Sequence, residues 1–351
     1  DLSPLQQIED ADGKVLHLFT NRPAIRAAKL GGGGGSGNRG QNPPNGAVLD
    51  FYLQEVPEEE VRLEILTQGG ELVRSYSTAA DSTSGNGRLT VEAGMNRHVW
   101  DLRYPPVFRV PELYVFGSLQ GRRVVPGTYT VRLSVGEEEL TSEIRVAGDP
   151  RLDTTPAQYR AQDELAKEIA GETEALHRAV VRIGDVREQV KGILDRLQEL
   201  RASEEGEIGS GGAEGPARKE GEGGRLTGTS TGDPAGGEST DSLDHVQTLG
   251  AALVDSLTMV EDSLVQWETH DGQTVLNAPS RINFQYIYLL GAVEGADDGT
   301  TEGAREVFRN LNSRWHPLRD RLEVLLSEGV SRFNHAVRAA GIEPVMISGE
   351  L

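Results

Sequence analysis

Two runs of sequence decide the fold: Gly94-Met95-Asn96-Arg97-His98-Val99-Trp100-Asp101-Leu102-Arg103 and Pro126-Gly127-Thr128-Tyr129-Thr130-Val131-Arg132-Leu133-Ser134-Val135. Side-chain character alternates along both, and Pro126-Gly127 turns the chain into the second. Successive side chains of an extended segment leave opposite faces of a sheet, so alternation bounded by turn residues marks half-buried strands. His98, Trp100 and Leu102 fall on one face of the first run; Arg97, Val99, Asp101 and Arg103 fall on the other. A Pro-rich loop separates the two runs.

The same signal recurs on both sides. Ala47 to Leu53, Val61 to Ile65, Leu72 to Tyr76, Leu89 to Val91 and Leu140 to Val146 each alternate, with Gln68-Gly69-Gly70 and Gly136 as turns. Seven or so short strands within residues 46–148 predict an immunoglobulin-like β-sandwich with Trp100 between its sheets. Residues 1–20 hold one further strand candidate, Lys14 to Phe19. One strand cannot bury its own face, so it is expected to belong to a sheet domain upstream. Residues 21–45, with Gly31 to Gly35 and Asn42-Pro43-Pro44-Asn45-Gly46, have the composition of a Gly/Pro linker.

Asp149-Pro150-Arg151 marks a change of class. Thr155, Pro156 and Gln158 supply an N-cap, a first-turn proline and a capping box. Beyond them Leu165, Ile169, Leu176, Val180, Ile183, Val190, Leu194 and Leu197 keep helical spacing to about Arg201. Stripes at Leu243–Trp267, Ile282–Val293 and Phe308–Ala340 follow, the last starting near Thr300 or Thr301, stopping at Gly341 and kinked or interrupted at Pro317. Residues 149–202 and 239–341 therefore predict an antiparallel helical bundle. The fold class expected is α+β and multidomain. Residues 203–238, rich in Gly, Glu, Ser and Thr, predict a disordered insertion, and 342–351 a tail.

Across 351 residues, 55 Asp and Glu oppose 35 Lys and Arg, for a formal charge of −20. That opposes a phosphate backbone, so nucleic acid is not an expected partner. No apolar run approaches the ~20 residues of a membrane-spanning helix. Without cysteine there is no thiol or disulfide chemistry. A chain opening on Asp1 reads as a processed product or a fragment.

Catalytic patterns are missing. The seven histidines lack metal-ligand spacing. Asp10-Ala11-Asp12-Gly13 would put Ile8 at the first ligand position of a calcium loop. Glu58 to Glu60 and Glu137 to Glu139 read as solvated turns rather than a glycosidase pair. No nucleophile elbow or phosphate-binding loop is present. No catalytic residue, cofactor or metal is expected. The candidate contact residues are the loop aromatics Tyr104, Phe108, Tyr114 and Phe116, placed to stack on a sugar or a peptide. Tyr286 and Tyr288 are expected to seal a bundle end.

The order of Asn42-Pro43-Pro44-Asn45-Gly46-Ala47, Val61-Arg62-Leu63-Glu64-Ile65, Gly94 to Arg103 and Pro126 to Leu133 resembles the C-terminal part of bacterial sortilin-like, BNR-repeat β-propeller proteins, often labelled glycosyl hydrolase-like. Asp149-Pro150-Arg151 and the helical tail through Phe333-Asn334 are similar to that family too. The opening Asp1-Leu2-Ser3-Pro4-Leu5 with His17-Leu18-Phe19 looks like the exit of its last blade. The Pro126 to Leu133 strand also resembles the Ig-like domains of flagellar hook-capping proteins. The resemblance implies a secreted or periplasmic setting, an upstream propeller as partner, and any chemistry upstream of Asp1. The function expected is a non-catalytic accessory region for protein–protein contact or scaffolding, with self-association through the bundle as a further partner mode. The alternative is a carbohydrate-associated module of a glycosyl hydrolase-like enzyme.

Overall fold

The structure, a computed structural model, describes residues 3–27, 44–80, 87–209, 235–268 and 271–346. In chain order the elements are α1 (Ser3–Gln6), β1 (Leu16–Leu18), β2 (Ala24–Arg26), β3 (Ala47–Leu53), β4 (Val61–Thr67), β5 (Leu72–Ser77), β6 (Gly87–Arg88), β7 (Gly94–Trp100), β8 (Gly127–Val135) and β9 (Glu138–Gly148). The helices α2 (Pro156–Gly209), α3 (Ala235–Leu264), α4 (Gly272–Asn277), α5 (Ile282–Glu294), α6 (Glu302–Val324) and α7 (Val330–Ala339) follow, with a π-helical turn at Leu325–Gly329 between the last two. Sheets and helices both occur and the long helices follow the strands; the class is α+β. Two compact units divide the chain: Asp1–His177 with Trp267–Ser313, and Arg178–Gln266 with Arg314–Leu351. Thus α4, α5 and the first turns of α2 and α6 group with the strands.

In the strand-bearing unit one sheet has the order β1-β3-β7 and the other β2-β9-β8-β4-β5-β6. Both feed one apolar cluster, with Leu49, Phe51, Leu53 and Trp100 from the first and Leu63, Ile65, Val131, Leu133, Ile144 and Val146 from the second. Trp100 is fully buried, meets the Tyr129 ring edge-on at 5.5 Å, and donates from Nε1 to the Arg103 carbonyl at 3.1 Å. A large indole thereby buries its surface without orphaning its one donor. Ion pairs between directly opposed residues, Asp50 with Arg97 and Glu64 with Arg132, tie neighbouring strands.

Two expectations at the amino-terminal end are corrected. The strand assigned to an upstream sheet pairs inside this chain: β1 runs antiparallel to β3, Leu16 opposite Leu53 and Leu18 opposite Phe51. Phe19 beside it is fully buried. Residues 24–26, placed in a linker, form β2 and pair in parallel with β9. A three-residue strand holds because its partners are already aligned in a larger sheet. The rest of the expected linker, 28–43, residues 81–86 and the end of the tail, 347–351, lie outside the described residues. So do 210–234 of the expected insertion, whose flanks are helical in α2 and α3.

The helix signals read from sequence are present as hydrogen bonds. Thr155 N–H donates to Gln158 Oε1 at 2.8 Å, and Gln158 N–H donates back to Thr155 Oγ1 at 3.3 Å. Ala304 N–H donates to Thr301 Oγ1. At the end of α7, Gly341 has φ +74°, its N–H donates to the Arg338 carbonyl, and Ile342 N–H reaches the Val337 carbonyl. That pair of bonds is a Schellman cap, which favours glycine at the left-handed position. Pro317 does not interrupt its helix: α6 continues through it to Val324. The irregularity comes later, as the π turn.

In the second unit α2 buries Ile183, Val186, Val190, Ile193 and Leu197, α3 buries Val246, Leu253, Leu257, Val260 and Leu264, and α7 buries Phe333 and Val337. A Cβ on Gly250 would stand 2.8 Å from Leu194 and 2.9 Å from Phe333. Glycine there lets α3 approach both neighbours closely. Arg187 pairs with the buried Glu261. No helix is long and apolar enough to cross a membrane among the described residues.

Candidate functional site

The loop from Asp101 to Val125 contains no helix or regular strand, yet it is held throughout. Tyr104 N–H donates to the Arg122 carbonyl, Val107 N–H to Leu119 and Val124 N–H to Leu102, so the loop folds back as a ribbon. Gly121 sits where a Cβ would overlap the carbonyl oxygens of Tyr104 and Pro105. Val107, Val110 and Leu113 are buried. His177 of α2 closes one end: its Nδ1 lies 2.6 Å from the Phe108 carbonyl, which can only accept, so Nδ1 carries the proton. Burial holds the His177 imidazole below its ordinary pKa, against the pull of that bond. Long ordered loops without secondary structure are commonly functional.

The base of the loop is fixed by a buried polar knot drawn from distant parts of the chain. Asp297, just past α5, is shut off from solvent and accepts from Arg26 Nη2 at 2.9 Å and Arg123 Nη2 at 2.7 Å. Arg26 is 2 % exposed. It also donates to the Val124 carbonyl and to Gln162 Oε1, while Gln162 Nε2 donates to the carbonyls of Val293 and Ala296. Arg123 reaches the Glu294 carbonyl at 2.5 Å, placing a cation at the carboxyl end of α5, where the helix dipole favours one. Burial, and then the neighbouring Arg26, push the Arg123 guanidinium down from its usual pKa. Glu294 accepts from Arg103 Nη1 at 2.7 Å and from the Arg123 N–H. Beside the knot Arg122 lies 3.4 Å over the Tyr104 ring and pairs with Asp163. Burial nevertheless raises the Asp163 carboxyl above its ordinary range.

Above the knot opens a cleft of about 440 Å³. Arg26, Arg103 and Arg123 contribute to its walls with Asp101 and Glu294, neutral polar groups come from Asn45, Ser118 and Gln120, and Leu290, Gly291 and Gly295 form the α5 side. The loop runs along α5 in the same sense, from Phe116 beside Phe284 to Arg123 beside Glu294. A Cβ on Gly117 would come within 2.8 Å of Ile287, and Phe116 stacks on Phe284 at 6.4 Å. Phe284 in turn stacks on Tyr288, also at 6.4 Å. Phe116 is 50 % and Tyr288 70 % exposed. Phe116 from the loop and Phe284 and Tyr288 from α5 form an aromatic ledge beside the same helix that walls the cleft.

Of the four loop aromatics singled out by sequence, Phe116 joins this ledge. Tyr104 lies under Arg122 and against the sheet core, and Phe108 is half-buried at the His177 contact. Tyr114 is half-buried. The tyrosines of α5 part company: Tyr286 is buried and donates to Asn312 Oδ1, whereas Tyr288 faces solvent. Sequence reading missed the arginine knot, since Arg26 stood in an apparent linker and Arg122-Arg123 looked like one strand's entry. A glycine inside α5, Gly291, was the one local hint. No grouping of His, Cys, Asp and Glu able to hold a metal occurs among the described residues. The arrangement suits binding more than proton transfer, because guanidiniums stay charged near neutrality and Glu294 is already engaged by two donors.

No protein-family model matches the chain, and no curated protein matches it. A solved structure described as pT26-6p aligns at 12 % identity over 84 % of this chain and 47 % of that one, with a TM-score of 0.16. The chain thus spans about half the length of that structure, and a likeness so slight carries no argument about fold or function.

Proposed function

We propose that this chain is a non-catalytic interaction region that docks a protein partner on the Phe116–Phe284–Tyr288 ledge. The observation that carries this reading is the exposure of Phe116 and Tyr288 as one stacked set on a clamped loop and helix. Exposed aromatic surface gains free energy when a partner covers it. Aromatic and arginine side chains beside a pocket are the residue types that dominate protein–protein contacts. We further read the two sheets as an Ig-like sandwich and the helices as an antiparallel bundle. In this reading the whole serves as an accessory region C-terminal to an extracytoplasmic propeller, supported by the order of the motifs from Asn42 to Leu133.

The test is photocrosslinking from benzoylphenylalanine placed at position 288 in the native host, with the adduct then rebuilt from purified components. One reproducible protein adduct, lost on adding Phe116→Ala, is expected. Hydrolysis of a glycan or peptide by the purified chain, abolished by one carboxylate substitution, overturns the reading. The rival, a carbohydrate-associated module, draws on the same rings, which present faces for stacking on a sugar, and on Asn45, Ser118 and Gln120 in the cleft. Glycan-array binding lost in Tyr288→Ala favours the rival, and a silent array counts against it.

A further inference from the structure

The cleft and the ledge lie along one helix, and their chemistry differs in a way that specifies an occupant. From Phe284 to Glu294, α5 advances roughly 15 Å at 1.5 Å per residue. An extended peptide of about four or five residues spans that distance. One end offers aromatic rings and the other offers guanidiniums. Arg103 is the least buried arginine of the knot, half-buried where Arg26 and Arg123 are buried. Its Nη1 is taken by the Gly121 carbonyl and Glu294. Its Nε and Nη2, the edge of the fork that grips a carboxylate in two parallel bonds, have no acceptor among the described residues. Arg26 Nε and Arg123 Nε are likewise buried without a partner. The cleft wall holds three arginines against Asp101 and Glu294, and the Asp101 carboxylate, at an exposed position, accepts from the Arg103 N–H. With Asp297 paired to Arg26 and Arg123 the local charges already balance, so what the cleft offers an occupant is the open donor edge of Arg103 and not a surplus of positive charge.

Gly291 adds an independent observation. It lies inside α5, where glycine is unfavourable, and an added Cβ would meet nothing within 4 Å. No packing among the described residues calls for a glycine there, yet the position borders the cleft. Bare backbone at that point lets an occupant lie against the helix.

The geometry points to a peptide-carboxylate site: the cleft takes the free C-terminal carboxylate of a partner polypeptide, on Arg103, while apolar residues just upstream lie over Gly291 and Tyr288. This rests on the docking function proposed above and names the part of the partner that docks. The carboxylate meets Nε and Nη2 of Arg103, Asn45 and Gln120 stand near the last peptide groups, and the ledge covers a side chain a few residues earlier. A single carboxylate matches the one open donor edge of Arg103, whereas a polyanion would meet Asp101, Glu294 and the acidic chain as a whole.

Fluorescence anisotropy with an N-terminally labelled hexapeptide pool, Phe fixed at the third position from the end, tests it directly. The pool is compared as free acid and as C-terminal amide. The free acid is expected to bind about tenfold more tightly, the range of a charge-assisted hydrogen bond. Arg103→Lys, which keeps the charge and loses the fork, is expected to erase that preference. Gly291→Leu is expected to abolish binding while the melting temperature holds or rises, which separates a blocked cleft from a misfolded protein. Equal binding of acid and amide overturns the proposal, as does binding confined to oligouronates or inorganic phosphate. A protein adduct at position 288 that is indifferent to Arg103→Lys would retain the docking function and remove only the carboxylate site.

Discussion

Arg123 and Asp297, 174 residues apart in sequence, meet side chain to side chain at 2.7 Å with almost no solvent between or around them. Neither has a role that its neighbours in sequence would suggest. Together they fix the floor of the cleft.

Removing Asp297 therefore strands two cations. Arg26 and Arg123 are both buried, and breaking such a pair from one side costs about 3–5 kcal/mol. Asp297→Ala is expected to lose stability on that scale in chemical denaturation. Replacing Arg26, Arg123 and Asp297 together by apolar residues should recover much of the loss, because no charge is then left unpaired. A triple variant as unstable as the single one contradicts this account of the knot.

Two glycines in the same unit should respond in opposite directions. At Gly121 a methyl group has to displace two backbone carbonyls, and Gly121→Ala is expected to cost ~2 kcal/mol or more. At Gly291 the methyl group enters open space on a helix, so Gly291→Ala is expected to gain up to ~1 kcal/mol. Thermal melts of the two variants, run side by side, decide it.

His98 makes stability depend on pH. Burial beside Tyr76, and then the charge of Arg74, lower its imidazole from 6.5 to about 4, with Asp101 opposing. Between those values the unfolded chain binds a proton that the folded chain refuses, so stability falls as pH drops from 6.5 and this loss levels off near 4. The contribution is on the order of 2–3 kcal/mol. His98→Phe, which keeps the ring against Tyr76, is expected to flatten that part of a pH titration of stability relative to wild type. Parallel curves for the two proteins would refute it.

Pro317 sits on the exposed side of an unbroken α6. A proline there removes one backbone donor without a compensating turn. Pro317→Ala is expected to raise stability by roughly 1–3 kcal/mol in urea unfolding, with no change in helical content by circular dichroism. A loss of stability would assign the proline a packing role.

The legible part of this molecule was its local part. Alternation from Ala47 to Leu53 and from Tyr129 to Val135 marks strands because apolar burial there repeats every second residue, with Asp50 buried as well through its pair with Arg97. Thr155, Gln158 and Gly341 marked helix ends because caps are made within a few residues. Arg26 shows no such pattern: its partners are Val124, Gln162 and Asp297, and the residues around it look like linker. The exposed stripe of α5 was hidden for a different reason. Phe284 and Tyr288 are apolar residues in a helix otherwise rich in buried ones, so composition assigns them to the core. The partner of β1 lay some 35 residues onward across a stretch without periodicity, which is why the strand seemed to need a missing domain.

The long reach of the knot also orders events in time. Asp297 is made long after Arg26 and Arg123, so a chain still being synthesised holds both arginines with no carboxylate to receive them. Contacts between such distant residues close late and slowly during folding. The cleft therefore comes into being only once translation has passed α5, and a fragment cut at the strand–helix boundary near residue 148 carries the loop without the helix that walls the cleft. Whatever partner this face serves, it meets a chain in which α5 and Asp297 have already been made.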